Sequence, residues 1–407
     1  MYDWAVLMEW VEVAVRWTHV ITAIAWIGSS FYFIALDLGL RRGGALPVGV
    51  SGEEWQVHGG GFYHIRKYMV APPEMPDHLT WFKWESYATW MTGFALLFVV
   101  YYLGAEFYLI DPAVMDLAVW QAVLISVGSL VGGWFAYDAI CKSRFGNDNT
   151  RLMVGLYVIL VGMAWFYTHV FSGRAALLHL GAFTATIMSA NVFITIIPNQ
   201  KIVVADLLAG RAPDPKYGAI AKQRSTHNNY LTLPVLFLML SNHYPLTFAT
   251  EYNWIIASLV FLMGVTIRHY FNTRHARGGN PTWTWIATVL LFLIIAWLST
   301  APMFRGQEDV QLQGAALKFA QADGFAEVQD IVTGRCAMCH AKEPVWQGLL
   351  WAPKGVRLET ANEIAHEARR IYLQAGLSHA MPPANLSAIE PAERAKIVAW
   401  YRGAMGS

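Results

Sequence analysis

The chain has 407 residues, of which 56% are hydrophobic, 14% aromatic and 14% charged, and its mean hydropathy of +0.36 is too apolar for an ordinary water-soluble protein. A formal net charge of +1 gives no long-range field to attract a polyanion, and no basic run is interleaved with aromatics, so nucleic acid is excluded as a partner. Three cysteines are too few for a disulfide framework.

Crossing about 30 Å of hydrocarbon takes roughly 20 apolar residues. Runs of that kind predict eight helical spans in a lipid bilayer, near 12–36, 85–103, 117–139, 152–171, 175–197, 230–246, 252–270 and 282–303. No basic leader or small-residue cleavage site precedes the first run, which reads as a retained anchor. The loop that follows runs from His58 through Gly59-Gly60-Gly61-Phe62-Tyr63-His64 to Arg66 and Lys67. Its glycines permit close backbone approach and its aromatics and cations suit a flat anion, although a flexible loop with interfacial aromatics reads equally well. Glu85 opens the second span, either as a functional acid or as a carboxylate favoured at a helix N-terminus. Cys141 reads as a structural thiol, and Asn191 serves a polar cavity or an interhelical hydrogen bond. The sixth span is the least regular, with Pro234 and Pro245 bracketing it and His243 near its end.

Basic residues alternate sharply between connections. Sixteen of them, including Arg224 and Arg268, fall in every second connection, while the other three hold only Arg174. Because positive residues mark cytoplasmic loops, eight spans with both termini outside fit this asymmetry, and the acidic start agrees.

Ten of the thirteen histidines precede residue 304. In this topology His19, His169, His179 and His243 form a layer near the outer ends of spans one, four, five and six, and imidazoles on facing helices are the usual axial ligands of a b-type haem. The competing reading for each is a hydrogen-bonded packing residue.

After residue 304 the composition becomes mixed and charged. Residues 1–303 therefore read as a transmembrane domain, 304–315 as a linker and 316–407 as a small soluble domain that needs a staple beyond its own core. Cys336-Ala337-Met338-Cys339-His340 supplies one, since C-x-x-C-H is the signature of covalent haem c attachment, with His340 turned onto the iron. A zinc or redox dithiol is the alternative. Met381, in a Ser378-His379-Ala380-Met381-Pro382-Pro383 stretch like the methionine loop of class I cytochromes c, is the predicted sixth ligand, with His379 as competitor and His366 as a surface residue. A helix near 391–403 would pack Ile397, Trp400 and Tyr401 against the helix before Cys336. Haem is attached covalently in the bacterial periplasm, so this domain lies outside the inner membrane, on the side chosen by the loop charges. The expected fold is all-α: a polytopic helical bundle plus a class I cytochrome c domain.

Several longer strings carry a family likeness: Trp17-Thr18-His19-Val20, the His58–Tyr63 loop, Trp81-Phe82-Lys83-Trp84-Glu85, and Thr226-His227-Asn228-Asn229-Tyr230 through Ser241-Asn242-His243-Tyr244-Pro245. Together they resemble the bacterial membrane-bound urate oxidases with a C-terminal cytochrome c. The resemblance implies that urate and water give 5-hydroxyisourate while electrons leave through haem c to a soluble or membrane cytochrome c or a terminal oxidase. Attack of water needs a base, for which Glu85, His64 and His227 are candidates. Haem c takes one electron at a time, which is why the histidine layer matters. Two rival readings remain open: an electron-transfer cytochrome relaying electrons from quinol or a partner without its own urate site, and a channel fused to a redox sensor.

Overall fold

The computed structural model describes residues 4–43, 46–68, 72, 75–301, 312, 314–346, 349 and 351–406. The chain opens with helix α1 (Trp4–Gly39). A β-hairpin follows, with β1 (Val50–His58) antiparallel to β2 (Gly61–Tyr68). The hairpin corrects the all-α expectation. Gly59 and Gly60 turn it with φ of 58° and 81°, the left-handed geometry that a two-residue hairpin loop requires. Trp55 then faces His64 and Val57 faces Phe62 across the strands.

Helix α2 (Trp84–Leu97) continues through a π-turn at Phe98–Tyr102 into a short helix α3 (Ala105–Tyr108). Helices α4 (Val119–Lys142) and α5 (Asn149–Thr168) follow, the latter capped by Asp148, which accepts the backbone N–H groups of Thr150 and Arg151. Helix α6 (Gly173–Ala190) runs through a second π-turn at Asn191–Ile196 into α7 (Ile197–Leu208). Helices α8 (Pro215–Leu240), α9 (Asn253–His275) and α10 (Trp283–Thr300) complete the bundle.

Six of these helical stretches are long and apolar enough to cross a membrane: Val6–Gly39, Val119–Lys142, Asn149–Thr168, Gly173–Leu208, Asn253–His275 and Trp283–Thr300. The α2 stretch and α8, at the second and sixth predicted spans, are not among them. Helix α8 starts 15 residues before the expected 230, because Asp214 caps it and Pro215 takes the first position, where no N–H is needed. Pro234 therefore lies inside this helix instead of bounding it. The core is centred on α6, whose Leu177, Leu180, Phe183 and Ile187 pack with Leu156, Leu160 and Tyr167 of α5 and Leu130 and Trp134 of α4. Outward, α10 presents Ile286, Val289, Leu290, Leu293 and Trp297, all exposed, an apolar face that water does not favour.

The chain ends in a second hydrophobic core built by α11 (Ala315–Ala320), α12 (Phe325–Cys336), α13 (Ala361–His366), α14 (Ala368–Ile371) and α15 (Pro391–Met405). Ile397, Trp400 and Tyr401 are buried in it with Phe319, Val328 and Val332, the packing expected of the last helix. The expected linker at 304–315 lies largely outside the described residues.

This C-terminal unit sits on the end of the bundle where α1 begins. Arg369 pairs with Glu9 at 3.3 Å and donates to the Tyr108 hydroxyl at 2.8 Å, while Phe107 packs on Phe319 with ring centroids 6.1 Å apart. Tyr108 is held from the bundle side by Arg174, whose guanidinium lies 4.8 Å from the ring centroid.

Candidate functional site

Two constellations carry chemistry. The first is the end of α12. The helix stops at Cys336, and one further turn brings the Cys339 and His340 backbone N–H groups onto the Cys336 carbonyl at 3.2 and 3.0 Å. Both cysteines are free thiols. His340 Nδ1 contacts the Val356 carbonyl at 2.9 Å, which fixes the ring and leaves Nε2 available to a metal. Burial pushes the Cys336 thiol up to about 11, away from the thiolate that a redox dithiol needs. No cluster of three or more His, Cys, Asp or Glu side chains suited to a metal ion occurs among the described residues, so the pair lacks the donor set of a structural zinc site.

Met381 is 38% exposed. Its backbone is clamped on both sides, the N–H on the Gln374 carbonyl at 2.9 Å and the carbonyl on Arg394 of α15 at 2.9 Å. Arg394 also reaches the Ala375 carbonyl and Asn385 Oδ1. His379, the competing ligand, is exposed with φ of 56° and lines a surface groove with Arg394, Val398 and Arg402. The donor set therefore fits a haem held by Cys336 and Cys339 between His340 and Met381.

The second constellation is a polar core inside the bundle. Helix α8 carries Arg224, His227, Asn228 and Asn229, all buried. His227 Nδ1 meets the Tyr137 hydroxyl of α4 at 2.7 Å. Asn191, at the π-turn, donates to the same hydroxyl at 3.1 Å and to Asn228 Oδ1 at 2.9 Å, and Asn228 donates to the Met188 carbonyl at 2.9 Å. Arg224 closes the network on Asp138 at 2.6 Å. On the opposite side of α8, Asn229 accepts from Arg268 at 3.3 Å and from Asn272 at 2.8 Å, both on α9. The π-turn gives Asn191 its reach, since one wide turn re-aims side chains that a regular helix keeps in register. His227 Nε2, Asn229 Nδ2 and Arg224 Nε are buried with no partner. Unpartnered polar atoms in an apolar bundle are costly, so such a place needs a reason.

Of the candidate bases, His227 lies in this core. Glu85 stands in the first turn of α2 with Oε2 buried and unpartnered. His64 lies on the hairpin, stacked on Trp55 at 4.2 Å and bonded to Glu53 at 2.7 Å; its hydrogen-bonding capacity is already engaged on an exposed strand.

The four outer histidines do not form one layer. His19 sits near the middle of α1, about 22 Å along from its start at 1.5 Å per residue, with Nδ1 at 3.1 Å from both the Thr89 carbonyl and Thr92 Oγ1. Only a glycine fits opposite it, because a Cβ on Gly93 would lie 2.9 Å from the ring. His169 ends α5, exposed and stacked on Trp165 at 4.4 Å. His243 is exposed beyond the end of α8. His179 alone is 0% exposed, ringed by Tyr101, Tyr167 and Phe171, with Nδ1 on the Ala175 carbonyl at 2.8 Å and Nε2 unpartnered.

Sequence reading missed Arg224, Arg268, Asn229, Asn272, Tyr137 and Asp138. Two of these are a correction: Arg224 and Arg268, counted as loop charges, are helix residues 2% and 5% exposed. The signal present was the polar run Arg224-Ser225-Thr226-His227-Asn228-Asn229, six residues without an apolar side chain inside a long helix.

A family profile described as "Urate oxidase N-terminal" matches residues 5–299, the whole bundle. Comparison with curated proteins and with solved structures returned no match.

Proposed function

Because the chain belongs to the urate oxidase N-terminal family, we propose that it is a membrane-bound urate oxidase whose C-terminal unit is a class I cytochrome c. The family match over 5–299 carries this reading. The reaction is urate monoanion plus water giving neutral 5-hydroxyisourate, one proton and two electrons. A haem c held by Cys336 and Cys339, with His340 and Met381 as axial ligands, would accept the electrons one at a time and pass them to an external acceptor, a cytochrome c or a terminal oxidase.

The remaining chemistry belongs to the bundle's own side chains. Water adds to a urate ring carbon only as it loses a proton, and His227 is the best-placed acceptor. The Tyr137 hydroxyl holds its Nδ1, and its unpartnered Nε2 is free to take the proton. Burial of the core keeps bulk water from competing with the attacking molecule. Eight membrane crossings, with both termini and the cytochrome unit on the periplasmic side of a bacterial inner membrane, fit the seating of Arg369 against Glu9 at the end where α1 begins. The α2 stretch and α8 would be the two crossings masked by a π-turn and by the polar core.

Purified full-length protein mixed with urate and oxidised cytochrome c without oxygen should reduce the cytochrome in a urate-dependent way. Reduction that ignores urate and follows quinol instead would replace this reading with an electron-relay cytochrome. A reporter active only in the periplasm should be active when fused after residue 110 or 248 and silent near 148 or 212.

A further inference from the structure

Helices α8 and α9 each bury an arginine, and their surroundings differ in one respect. Arg224 is neutralised by Asp138 at 2.6 Å. Arg268 is 5% exposed and has no carboxylate partner among the described residues. Its Nε donates to Asn229 Oδ1 at 3.3 Å, one terminal nitrogen donates to Asn272 Oδ1 at 3.0 Å, and the guanidinium lies 4.1 Å from the Phe31 ring centroid. Amide oxygens and a ring face solvate a cation but do not cancel its charge. A buried ion without a counter-ion destabilises the fold that holds it, unless a ligand brings the opposite charge.

A second observation points to a ligand at the same place. Asn229 is 1% exposed and its Nδ2 has no acceptor, although its Oδ1 is doubly used by Arg268 and Asn272. An amide N–H donor and an unneutralised guanidinium thus stand side by side, both lacking an acceptor that is negative or strongly polar. Arg268 is about 10 Å, or two turns, before the end of α9 at His275.

We propose that Arg268 and Asn229 form the anion subsite for the substrate. The guanidinium supplies the counter-charge to the urate monoanion, and Asn229 Nδ2 donates to a carbonyl oxygen or deprotonated ring nitrogen of the purine. Phe31 holds the guanidinium in place from its other side. This assignment rests on the urate reading above and adds to it the residues that select an anion.

The test uses full-length protein, with urate as the probe and thermal melting beside steady-state cytochrome c reduction. Urate should raise the wild-type Tm, since a ligand bound only by the folded state stabilises it. Arg268→Gln should abolish that rise and increase KM at least about 30-fold with a smaller change in kcat. Asn229→Asp places a carboxylate beside Arg268 without changing shape. It should raise the Tm of ligand-free protein and remove the response to urate, an outcome that a purely structural Arg268 does not give. Arg174→Gln, at the other end of the bundle, should leave urate affinity unchanged. The proposal is overturned if N229D or R268Q keeps the wild-type urate shift, or if R174Q loses it while R268Q does not. A wild type indifferent to urate overturns the functional reading instead. The subsite is then decided by ligand-free N229D, whose Tm rises only if Arg268 is an unpaired cation.

Discussion

At the junction with the C-terminal unit the charge that crosses from one unit to the other is partnered: Arg369 pairs with Glu9 and donates to the Tyr108 hydroxyl, and the Tyr108 ring also packs on Arg174. In the polar core of α8 and α9 the pairing is incomplete, with Arg224 matched to Asp138 and Arg268 matched only by amides and a ring. The junction is partly open to solvent, where an ion pair is worth about 1 kcal/mol or less and serves to set orientation. The core is closed, and there an unmatched charge is expensive enough that function is its natural explanation. Similar side chains thus meet a carboxylate at the solvent-facing junction and only amides and a ring in the closed core, and the difference lies in their burial.

Breaking the electron exit should have the largest effect. Replacing Cys336 and Cys339 together by alanine should remove haem from the denatured polypeptide on a gel and abolish urate-driven cytochrome c reduction. A wild type that surrenders its haem to acidified acetone would contradict covalent attachment. Met381→Ala should eliminate the sulfur-to-iron absorption of the oxidised protein, and an unchanged spectrum would transfer the sixth position to His379.

The next effect concerns the space between the two regions. Substrate held near Arg268 lies more than about 20 Å along α9 from the helix end nearer the cytochrome unit, too far for direct electron transfer at a useful rate, so a b-type haem within the bundle is expected. His19, His169, His179 and His243 are the candidates of the sequence. The geometry favours His179, whose ring is fixed by a backbone carbonyl and whose Nε2 is buried and unpartnered, the arrangement of an axial ligand. Pyridine haemochrome analysis should reveal extractable haem b beside haem c, and His179→Ala should remove it while the haem c spectrum persists. Finding covalent haem alone would make His179 a packing residue.

Loosening the junction should cost less. Arg369→Ala removes an ion pair, a hydrogen bond and a ring contact, together about 1–2 kcal/mol. The rate of haem c reduction by urate should fall by about tenfold and become less sensitive to salt, with the haem spectrum intact. A rate equal to wild type would show that Arg369 does not control docking.

The smallest effect is that of pH. The Glu367 carboxylate, 3.8 Å from its Nδ1, holds His366 above its ordinary value, with burial opposing and Asp111 of the bundle adding to the rise. A raised histidine contributes fully below its ordinary value near 6.5 and loses that contribution as pH climbs through the raised one. Docking should therefore weaken on the alkaline side of neutrality. Because the side chain is 67% exposed, the change in rate should stay within about twofold, and His366→Gln should flatten it. A rate that instead falls toward acid would place the controlling group elsewhere.

Some features were legible because they are local. Hydropathy located the six helical stretches that are long and apolar enough to cross a membrane, since burial of apolar surface acts on every 20-residue window independently. The β-hairpin was legible in principle, with Trp55 and Val57 alternating before Gly59-Gly60, but the glycines were read as freedom to approach a ligand. The histidine layer was not legible because counting residues from span ends does not show what a side chain packs on: His169 is exposed at the end of α5, and His19 lies against Thr89 and Thr92 of α2.

By itself the sequence carried the C-x-x-C-H pattern on which the proposed haem attachment rests, because Cys336, Cys339 and His340 lie within five residues and need no partner from elsewhere to be recognised. It also determined the apolar character of the bundle, a property of composition. Only the tertiary structure decided which arginines have a carboxylate partner, as Arg224 and Arg369 do, and which has amides and a ring instead, as Arg268 does. Tyr137 and His227 stand 90 positions apart in the chain, and Arg268 and Phe31 still further, yet each pair is in contact. Whether a cation is neutralised depends on the helix packed against it, and that neighbour is chosen by the global burial of apolar faces, which no stretch of sequence read alone contains.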